Sequence, residues 1–411
     1  MKKLKLYNKK IKLLLLSSYV ILTMPVNELF AETILNYSPN LDKNKKTISL
    51  FTSSGNISVE NNSSSNLNRI SLTKNTIVKQ SQRNKYVRNY YSDEKNNFVR
   101  TYNLKDNNIN IKKVKEKMSD LGYSFSSING TFDKELQENI KIYQNEIGLN
   151  ETGSIDEITW KNLFITNEEV QKIIEFNQKE YLRFKNEFVK EKDKKDFSEY
   201  IVVNIPSYKL NMFDSDDEVV FTSNVIIGKN SQKTPFDTLR ITSLKYNPTW
   251  TPTPNMLKTS LFKDGGVNKG WIKSHGIEVY NSSGERVGLD NISSENMRSY
   301  RYTQPSGDNN ALGKLKFETN SSKNIYLHDT NNKKLFKNNK RDFSSGCIRV
   351  EGYEDLAKLL KEESKVDKGL SGKKMYFDKV DNEVPVFFTY FLSEENNGND
   401  TFYVDIYKKL K

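Results

Sequence analysis

The stretch from Ile325 to Val350 most constrains what this chain can fold into. It contains Cys347, the only cysteine among 411 residues, and His328, one of only two histidines. Apolar residues ahead of His328 predict a strand end, which would hold the imidazole on rigid backbone. Gly346 allows a tight turn directly before Cys347. The fold must therefore provide both a strand end and a tight turn within this one stretch.

These side chains indicate a nucleophile and its base. A free thiol with a pKa near ~8.5 is mostly protonated at neutral pH, so it needs a base or a positive neighbour. We expect His328 to be that base, with His275 as its rival and with backbone amides at Gly346 and Cys347 as oxyanion donors. Asp329 would face away, so a backbone carbonyl should orient the imidazole. The alternative is that the cysteine and histidine are ordinary core residues.

The sequence around these residues carries a family resemblance. A histidine on a strand end, followed by Ser-Ser-Gly-Cys-Ile-Arg-Val, resembles the L,D-transpeptidase (YkuD-type) family of peptidoglycan-remodelling cysteine enzymes. Fifteen residues separate His328 from Ser344, which fits the family spacing. Ser345 stands where many members have a second histidine, and this variant is typical of the large YcbB-like branch. The strand sequence Ile-Val-Val-Asn-Ile-Pro-Ser-Tyr, then Lys-Thr-Pro and Asn-Pro-Thr-Trp, extends the resemblance along the chain.

The resemblance implies acyl transfer between peptidoglycan stem peptides. Cys347 would attack the amide before the terminal D-alanine of a tetrapeptide stem, and His328 would take the thiol proton. A side-chain amine of a second stem would then attack the thioester and form a cross-link between third residues. Three alternatives stay open: hydrolysis by water, attachment of a lipoprotein lysine, and wall binding without catalysis. The intact motif disfavours the last.

Residues beside the motif are candidates for substrate contacts. Arg349 lies two positions after Cys347, so on a strand the two side chains share one face, and a guanidinium there suits a stem carboxylate. An internal salt bridge is the alternative for Arg349. Tyr326 lies two residues before His328, so on a strand the two side chains share one face. Tyr326 either lines the groove or packs in the core. Ser344 orients either His328 or the turn.

The first 31 residues predict a secretory signal peptide. A basic region through Lys12 precedes an apolar run from Leu13 to Met24, with a candidate cleavage site after Ala31. The run is short for a membrane span of roughly 20 residues, although an uncleaved anchor is the alternative, and no later stretch is long enough to span. We expect export to the periplasm or cell envelope. Exported proteins usually pair their cysteines, so a single cysteine there favours a thiol that is used.

Three further parts lie between the predicted signal peptide and the catalytic region. Residues 32–105 are dominated by Asn, Ser, Lys and Thr and predict a disordered polar tether. Residues 106–165 resemble the three-helix peptidoglycan-binding domain through Leu-Gly-Tyr, Asn-Gly-Thr-Phe-Asp and Thr-Gly-Ser-Ile-Asp; a generic three-helix module is the alternative. Residues 166–197 predict an amphipathic linker helix that begins at a Thr-x-x-Glu capping box.

Residues 198–411 are the predicted catalytic domain, so the predicted fold class is α+β and multidomain. Short strands joined by tight turns favour an antiparallel sheet, and the resemblance implies a mostly β sandwich or partly closed barrel. Residues 247–313 interrupt the sheet with a proline-rich polar segment, which the resemblance identifies as a capping insertion. We expect Trp250 to contact substrate from its apolar underside. A plain surface excursion is the alternative.

Composition limits the other classes of function. The net charge of +12 permits an acidic partner, but the basic residues are spread widely and no nucleic-acid motif occurs, so nucleic-acid binding is not expected. One cysteine and two distant histidines lack metal-ligand spacing, and no phosphate loop or dinucleotide fingerprint is present. We therefore expect no metal and no cofactor. Peptidoglycan stem peptides are the expected partners, while the oligomeric state is not specified by the sequence.

Overall fold

The structure is a computed structural model that describes residues 47–52, 55–60, 69–71, 97–262, 265–396 and 398–410. The predicted signal peptide and most of the predicted tether lie outside the described residues. Within the tether the described residues form strands β1 (Thr47–Thr52), β2 (Gly55–Glu60) and β3 (Arg69–Ser71), which pair antiparallel in that order. No helix in the described ranges has both the length and the apolar character that crossing a membrane requires.

Three helices form a small module, as predicted. They are α1 (Ile109–Asp120), α2 (Lys134–Glu146) and α3 (Glu157–Phe164). Each begins after an Asn or Asp whose side chain accepts a backbone N–H of the first turn, which satisfies a donor that the helix leaves free. Their apolar faces meet in one core, where Val114, Leu136 and Leu163 are fully buried.

The core of this module also includes residues assigned above to the tether. Tyr102 is 1% exposed, and its backbone N–H and C=O pair with Ile155 at 3.1 and 3.0 Å. Phe98 and Leu104 pack against the same core. The tether boundary predicted at residue 105 is therefore wrong, because aromatic burial and a backbone bridge tie the preceding residues to the module.

The long helix α4 (Asn167–Lys194) follows the module. The predicted capping box is present: Thr166 N–H donates to Glu169 Oε2 at 3.1 Å, and Glu169 N–H donates to Thr166 Oγ1 at 3.2 Å. These reciprocal bonds satisfy two backbone donors at the helix start. A helix thus spans nearly all of the predicted range of residues 166–197.

The chain divides into two compact units. The first comprises the described residues up to Arg183, together with Ser215–Glu218 and Tyr390–Lys411, and the second comprises Phe184–Asp214 and Val219–Thr389. The strands of the second unit are β4 (Tyr200–Asn204), β5 (Lys209–Phe213), β6 (Val219–Ile226), β7 (Leu239–Tyr246), β8 (Glu278–Tyr280), β9 (Arg301–Thr303), β10 (Leu315–Thr319), β11 (Leu327–His328), β12 (Ile348–Val350) and β13 (Tyr376–Thr389). Its helices beyond α4 are α5 (Pro254–Met256), α6 (Lys269–Ser274), α7 (Tyr353–Leu360) and α8 (Glu363–Ser371).

Eight of these strands close into a barrel in the order β10-β11-β12-β6-β5-β4-β13-β7. Apolar side chains fill it, and Leu210, Leu244 and Phe317 are fully buried. Alternation along each strand sends the intervening polar residues to the outer face. The predicted mostly β catalytic fold, preceded by a small helical domain, is confirmed.

Two neighbouring strand pairs are parallel, β4 with β13 and β11 with β12, whereas the sequence favoured an antiparallel sheet. Nineteen residues connect β11 to β12, which is long enough for a crossover between parallel strands. The pairing sets His328 opposite Arg349, and Ile348 N–H donates to Tyr326 O at 3.1 Å. Cys347 thus immediately precedes the strand that flanks His328.

The insertion at residues 247–313 leaves and re-enters the barrel at one place. Asn247 N–H donates to Lys314 O at 2.8 Å, so its two ends meet at a neck. The insertion contains α5, a single π-helical turn at Leu257–Leu261, α6, and the antiparallel pair of β8 and β9. Its position between β7 and β10 is as predicted.

The carboxyl-terminal residues form a hairpin of β14 (Ser393–Asn396) and β15 (Asn399–Phe402) in the first unit. The Asn162 side chain binds both the N–H and the C=O of Phe402, each at 2.8 Å. The predicted catalytic domain extended to residue 411. In this division the residues from Tyr390 onward group with the helical module instead.

Candidate active site

Cys347 follows a turn that buried hydroxyls hold in shape. Ser344 Oγ accepts from Gly346 N–H at 3.1 Å and donates to Cys347 O at 2.6 Å. Thr234 Oγ1 donates to Gly346 O at 2.8 Å and accepts from Gly228 N–H at 3.0 Å. Both hydroxyl-bearing residues are buried, so water does not compete for these bonds. Of its two predicted roles, Ser344 thus performs the orientation of the turn.

Two positions in this arrangement require glycine. Gly346 has φ of +119°, in the region that other residue types rarely adopt. A Cβ on Gly228 would lie 2.2 Å from Gln232 O and 3.0 Å from Gly346 Cα. Any side chain at Gly228 would therefore displace the backbone that supports the nucleophile.

One of the two predicted oxyanion donors is already bonded within the turn. Gly346 N–H already donates to Ser344 Oγ, so it is engaged inside the turn. Within the described residues Cys347 N–H has no hydrogen-bond partner, and it is the donor of the predicted pair that remains. Ser345 is exposed on the turn and makes no contact with His328 among the described residues.

The thiol rests on a backbone carbonyl. Cys347 Sγ donates to Asn324 O at 3.7 Å, and within the described part of the chain no hydrogen bond joins it to His328. Asn324 has φ of +54°, which asparagine tolerates better than most residues, and this conformation presents its carbonyl to the sulfur. This contact suits a protonated thiol, because a carbonyl oxygen can only accept a hydrogen bond.

Burial sets the protonation state of the thiol. It raises the pKa of Cys347, although hydrogen bonds from Tyr326 and the positive charges of Lys316 and Arg349 act in the opposite direction. A raised pKa keeps the sulfur protonated at neutral pH. An attacking thiolate then has to form with the help of a base.

His328 is placed to be that base. It is 5% exposed, and its Nδ1 contacts the carbonyl oxygen of Asp329. A carbonyl only accepts hydrogen bonds, so Nδ1 carries the proton and Nε2 keeps a free lone pair. The predicted orientation by a backbone carbonyl is confirmed, while the Asp329 carboxylate pairs with Lys333. Burial and the charges of Arg349 and Lys316 lower the pKa of His328 to about 3, so the resting imidazole is neutral.

Tyr326 and Lys316 complete the surroundings of the thiol. The ring centroids of Tyr326 and His328 are 5.6 Å apart. Lys316 Nζ lies 3.9 Å from the Tyr326 ring centroid and 2.7 Å from the Glu318 carboxylate. Burial and the neighbouring Cys347 raise the pKa of Tyr326, so its phenol keeps the proton that it can donate to the sulfur. Tyr326 thus belongs to the site.

Arg349 brings an unpaired cation to the site. Its Nε is buried without a hydrogen-bond partner, and within the described residues no carboxylate pairs with its guanidinium. Burial lowers the pKa of Arg349, and the charge of a thiolate on Cys347 would raise it. The internal salt bridge considered as an alternative is thus not found in the described part of the chain.

Trp250 is buried within the insertion. It is 7% exposed, and its backbone pairs with Gln304 at 3.0 and 2.7 Å. It belongs to a core that the insertion builds for itself from Trp250, Leu261, Ile272, Ile277, Val279, Ile292, Met297, Tyr302 and Leu312. The Trp250 ring thus packs within the insertion, and its contact with substrate stays a prediction. Tyr326, whose hydroxyl hydrogen-bonds with the Cys347 sulfur, packs against this core, so the insertion contacts a direct neighbour of the nucleophile.

The rival base lies on the insertion. His275 is exposed at the end of α6, and its ring stacks on Trp271 with centroids 4.3 Å apart. Its Nδ1 lies 2.9 Å from Trp271 O and 3.0 Å from Ser274 Oγ. His328, by contrast, lies on the strand that pairs with β12 directly after Cys347, so the geometry favours His328.

Sequence reasoning missed three residues of this site. Thr234 entered only as part of the Lys-Thr-Pro of the resemblance, although its hydroxyl donates to Gly346 O far along the chain. Asn324 carried a usable signal, since asparagine after a polar run favours positive φ. Lys316 carried none, because its place beside Tyr326 depends on strand register.

Comparisons with known proteins agree with this geometry. Residues 198–367 match the family described as "L,D-transpeptidase catalytic domain" (YkuD), and residues 107–163 match "Putative peptidoglycan binding domain". A curated protein of Haemophilus influenzae, named "Putative L,D-transpeptidase", is 36% identical over 220 residues, which are 52% of this chain and 45% of that protein. This chain therefore spans slightly less than half of that relative's length.

Two solved structures are also similar. An L,D-transpeptidase from Mycobacterium smegmatis has 13% identity over 46% of this chain and 58% of its own, with a TM-score of 0.25. L,D-transpeptidase 1 of Mycobacterium tuberculosis has 12% identity over 46% and 60%, with a TM-score of 0.22. The assignment rests on the two family matches and the curated relative. Residues 198–367 are thus similar to the L,D-transpeptidase (YkuD) catalytic domain, and residues 107–163, which precede them, are similar to a peptidoglycan-binding domain.

Proposed function

We propose that the protein is a peptidoglycan L,D-transpeptidase that works through a thioester on Cys347. One observation carries this proposal. The single thiol sits on a hydrogen-bonded turn directly before β12, and the neighbouring strand β11 ends at His328, whose neutral imidazole a backbone carbonyl orients. The match of residues 198–367 to the catalytic family supports the same assignment.

The first step forms the thioester. The thiol rotates away from Asn324 O, His328 Nε2 takes its proton, and Sγ attacks the carbonyl carbon before the terminal D-alanine of a tetrapeptide stem. The imidazolium is costly beside Arg349 and Lys316 until negative charge develops on the sulfur or the substrate oxygen. Proton transfer is thereby linked to attack. The carbon–nitrogen bond then breaks, and D-alanine leaves with the proton from His328.

Donors near the sulfur stabilise the tetrahedral intermediate. The Cys347 amide lacks another partner within the described residues, and the Tyr326 hydroxyl lies beside the thiol. Hydrogen bonds directed at a developing oxyanion in a buried site lower the barrier. We assign both groups to this role.

The second step transfers the acyl group. The side-chain amine of a second stem attacks the thioester, His328 accepts its proton, and the thiol of Cys347 is regenerated. Arg349 holds a carboxylate of the stem, a role supported by its unpaired buried Nε. The product is a cross-link between the third residues of two stems, and no bond energy from a nucleotide is needed.

The remaining parts of the chain place this chemistry at the wall. The likeness to these families points to the cell envelope. We infer that residues 1–31 direct export to the periplasm, that residues 32 to about 96 act as a tether, and that the helical module attaches to peptidoglycan. The catalytic domain then meets its substrate as an immobilised polymer.

Muropeptide analysis tests the proposal. Purified protein is incubated with tetrapeptide-rich peptidoglycan, and the digested products are separated by mass. We expect dimers linked through third residues, and none with the Cys347→Ala variant once its melting temperature shows that it is folded. Tripeptides alone would identify a carboxypeptidase, and adducts on a lipoprotein lysine would identify an attachment enzyme. Full dimer formation by Cys347→Ala would overturn the thioester mechanism.

A further inference from the structure

A charged pair on β10 lies on the same face of the barrel as the catalytic histidine. Lys316 of β10 lies directly opposite His328 of β11 in an antiparallel pairing. The same register, continued by two residues, sets Glu318 opposite Tyr326. Phe317, between the two charged residues, is fully buried, so alternation along the strand puts the charged pair on the outer face of the barrel. The pair thus lies beside both the base and the tyrosine that precedes it.

Lys316 has two partners, an aromatic ring and a carboxylate. Its Nζ lies 3.9 Å from the Tyr326 ring centroid and 2.7 Å from Glu318 Oε2. The two charged side chains are only 15% and 24% exposed, so solvent screens these contacts weakly. A cation on the face of an aromatic ring is attracted by its π electrons, and more strongly where water is excluded. Glu318 therefore keeps the ammonium at the ring, and the ammonium restrains the ring.

The Tyr326 hydroxyl connects the charged pair to the nucleophile. Burial raises the pKa of Cys347, whereas the hydrogen bond between this hydroxyl and the sulfur favours the thiolate. A positive charge on the ring face polarises the phenol and makes its hydroxyl a stronger donor. Glu318 acts in the opposite direction: burial raises the pKa of Tyr326, and the negative charge of Glu318 raises it further. Lys316 and Glu318 thus influence the sulfur with opposite signs through one hydroxyl.

The other cations near this site lie on neighbouring strands. Arg349 of β12 carries a charge that favours the thiolate, as that of Lys316 does. Lys245 of β7 lies opposite Lys316, but its Nζ contacts the Phe377 ring, 4.8 Å from the centroid. Among the residues that the structure describes, Lys316 is the cation on the Tyr326 ring. This contact distinguishes Lys316 from its two basic neighbours.

We propose that Lys316 is a positioning residue of the active site: held by Glu318, its ammonium fixes the Tyr326 ring and strengthens the hydroxyl as a donor to the Cys347 sulfur. This inference rests on the proposed function and adds to it a residue that acts only through Tyr326. In the first step the thiol proton passes to His328 Nε2, while the Tyr326 hydroxyl keeps its own proton and stabilises the charge left on the sulfur.

Alkylation of the full-length protein by iodoacetamide at pH 7 tests this role, since the rate follows the fraction of thiolate. Lys316→Gln should react about threefold more slowly than the parent, the scale of one charge acting across a partly buried ring. Glu318→Gln should react about threefold faster, because its amide oxygen still accepts from the ammonium but no longer opposes the charge. Lys316→Arg keeps a cation on the ring and should stay within about twofold of the parent.

The opposite signs separate this role from a structural one. A loosened site would change both rates in the same direction, and that result would overturn the proposal. The Tyr326→Phe background keeps the ring and removes the hydroxyl, so adding Lys316→Gln there should change the rate less than about 1.5-fold. A threefold effect that persists without the hydroxyl would show that the charge acts on the sulfur directly, and the positioning role would be wrong.

Lys245→Gln is the matched control. It removes the same charge from the position opposite Lys316, one strand farther from β11, and should leave the alkylation rate near that of the parent. An effect equal to that of Lys316→Gln would mean that net charge, and not the contact with Tyr326, sets the rate. Alkylation needs no stem peptide, so a parent that forms no dimers would overturn the proposed function and leave this result standing.

Discussion

The nucleophile turn and the capping insertion belong to the same site, but hydrogen bonds stabilise the turn whereas apolar packing stabilises the insertion. The turn at residues 344–347 is fixed by hydrogen bonds of the buried Ser344 and Thr234. The insertion at residues 247–313 has nine buried apolar residues of its own and joins the barrel through a neck. In the turn every polar contact sets the position of a reacting group. In the insertion the contacts mainly stabilise the insertion itself.

This difference predicts how each region responds to change. Removing one hydroxyl from the turn leaves buried partners unsatisfied, at a cost of about 1–3 kcal/mol, directly beside the sulfur. Removing the whole insertion leaves no half-empty core, because its apolar residues leave together. We therefore expect small changes near the turn to reduce rate and large changes in the insertion to alter the outcome of the reaction.

Replacing the base His328, on strand β11, should have the largest effect on the reaction rate. His328→Ala should reduce the rate of dimer formation at least ~10²-fold, since general bases contribute on that scale. The rate is measured with soluble stems, and melting temperature verifies the fold. His275→Ala, on the insertion, is the matched control and should stay near the parental rate. If the two variants exchange these results, the base lies on the insertion and the comparison fails.

The pH dependence of alkylation should follow the thiol alone. The pKa of Cys347 is raised and that of His328 is about 3, so between pH 6 and 8 only the fraction of thiolate changes. Thiolate increases with pH, so the rate with iodoacetamide should rise about tenfold per unit, or roughly 100-fold over this range. Glutathione in the same buffers calibrates the reagent. A plateau below pH 7 would instead indicate a resting thiolate–imidazolium pair.

The sequence predicted the elements that depend on nearby residues. The helix starts, the capping box of α4 and the carbonyl that orients His328 all follow from residues within a few positions. The strand end and the glycine turn at Gly346 are of the same kind. These features were accessible because their partners are neighbours in the chain.

What the sequence did not predict depends on partners far apart in the chain. The parallel pairing of β11 with β12 is formed across a nineteen-residue connection, and it sets the neighbours of His328. Trp250 packs into the insertion because of residues up to Leu312, which no local pattern relates to it. Tyr102 joined the helical core through a bridge to Ile155. In each case contacts between residues far apart in the sequence determined which side chains became buried.

A single bond in the turn should have an intermediate effect. Thr234→Val keeps the shape of the side chain but leaves Gly346 O and Gly228 N–H without their partner. We expect about a tenfold loss of dimer formation and a lower melting temperature, because the turn carries the nucleophile. Thr222→Val is the control, since Thr222 is exposed on β6 and donates a comparable bond to Asn211 at 2.8 Å. Equal losses in both would mean that the turn is not specially sensitive.

Shortening the insertion should have the smallest effect on rate and the clearest effect on products. Asn247 N–H already binds Lys314 O at 2.8 Å, so a tight turn can replace residues 248–313 without moving either strand. The insertion packs against Tyr326 beside the sulfur, and removing it admits water to the thioester. We expect the ratio of hydrolysed tripeptide to dimer to rise a few-fold, while carbapenem, a strained carbonyl compound, still acylates Cys347 in intact-mass spectra.

Trp250→Ala tests whether the internal packing of the insertion, and not only its presence, keeps water from the thioester. It removes a buried ring from the core of the insertion, which costs about 3–5 kcal/mol at a fully packed site, yet it leaves the chain length unchanged. If the packing of the insertion excludes water, this loosened core should admit water to the thioester. The fraction of hydrolysed tripeptide should then rise, but less than in the shortened variant. Should the shortened enzyme fold and keep the parental product ratio, the insertion does not protect the thioester. Acceptor choice would then depend on the barrel face that carries the nucleophile turn.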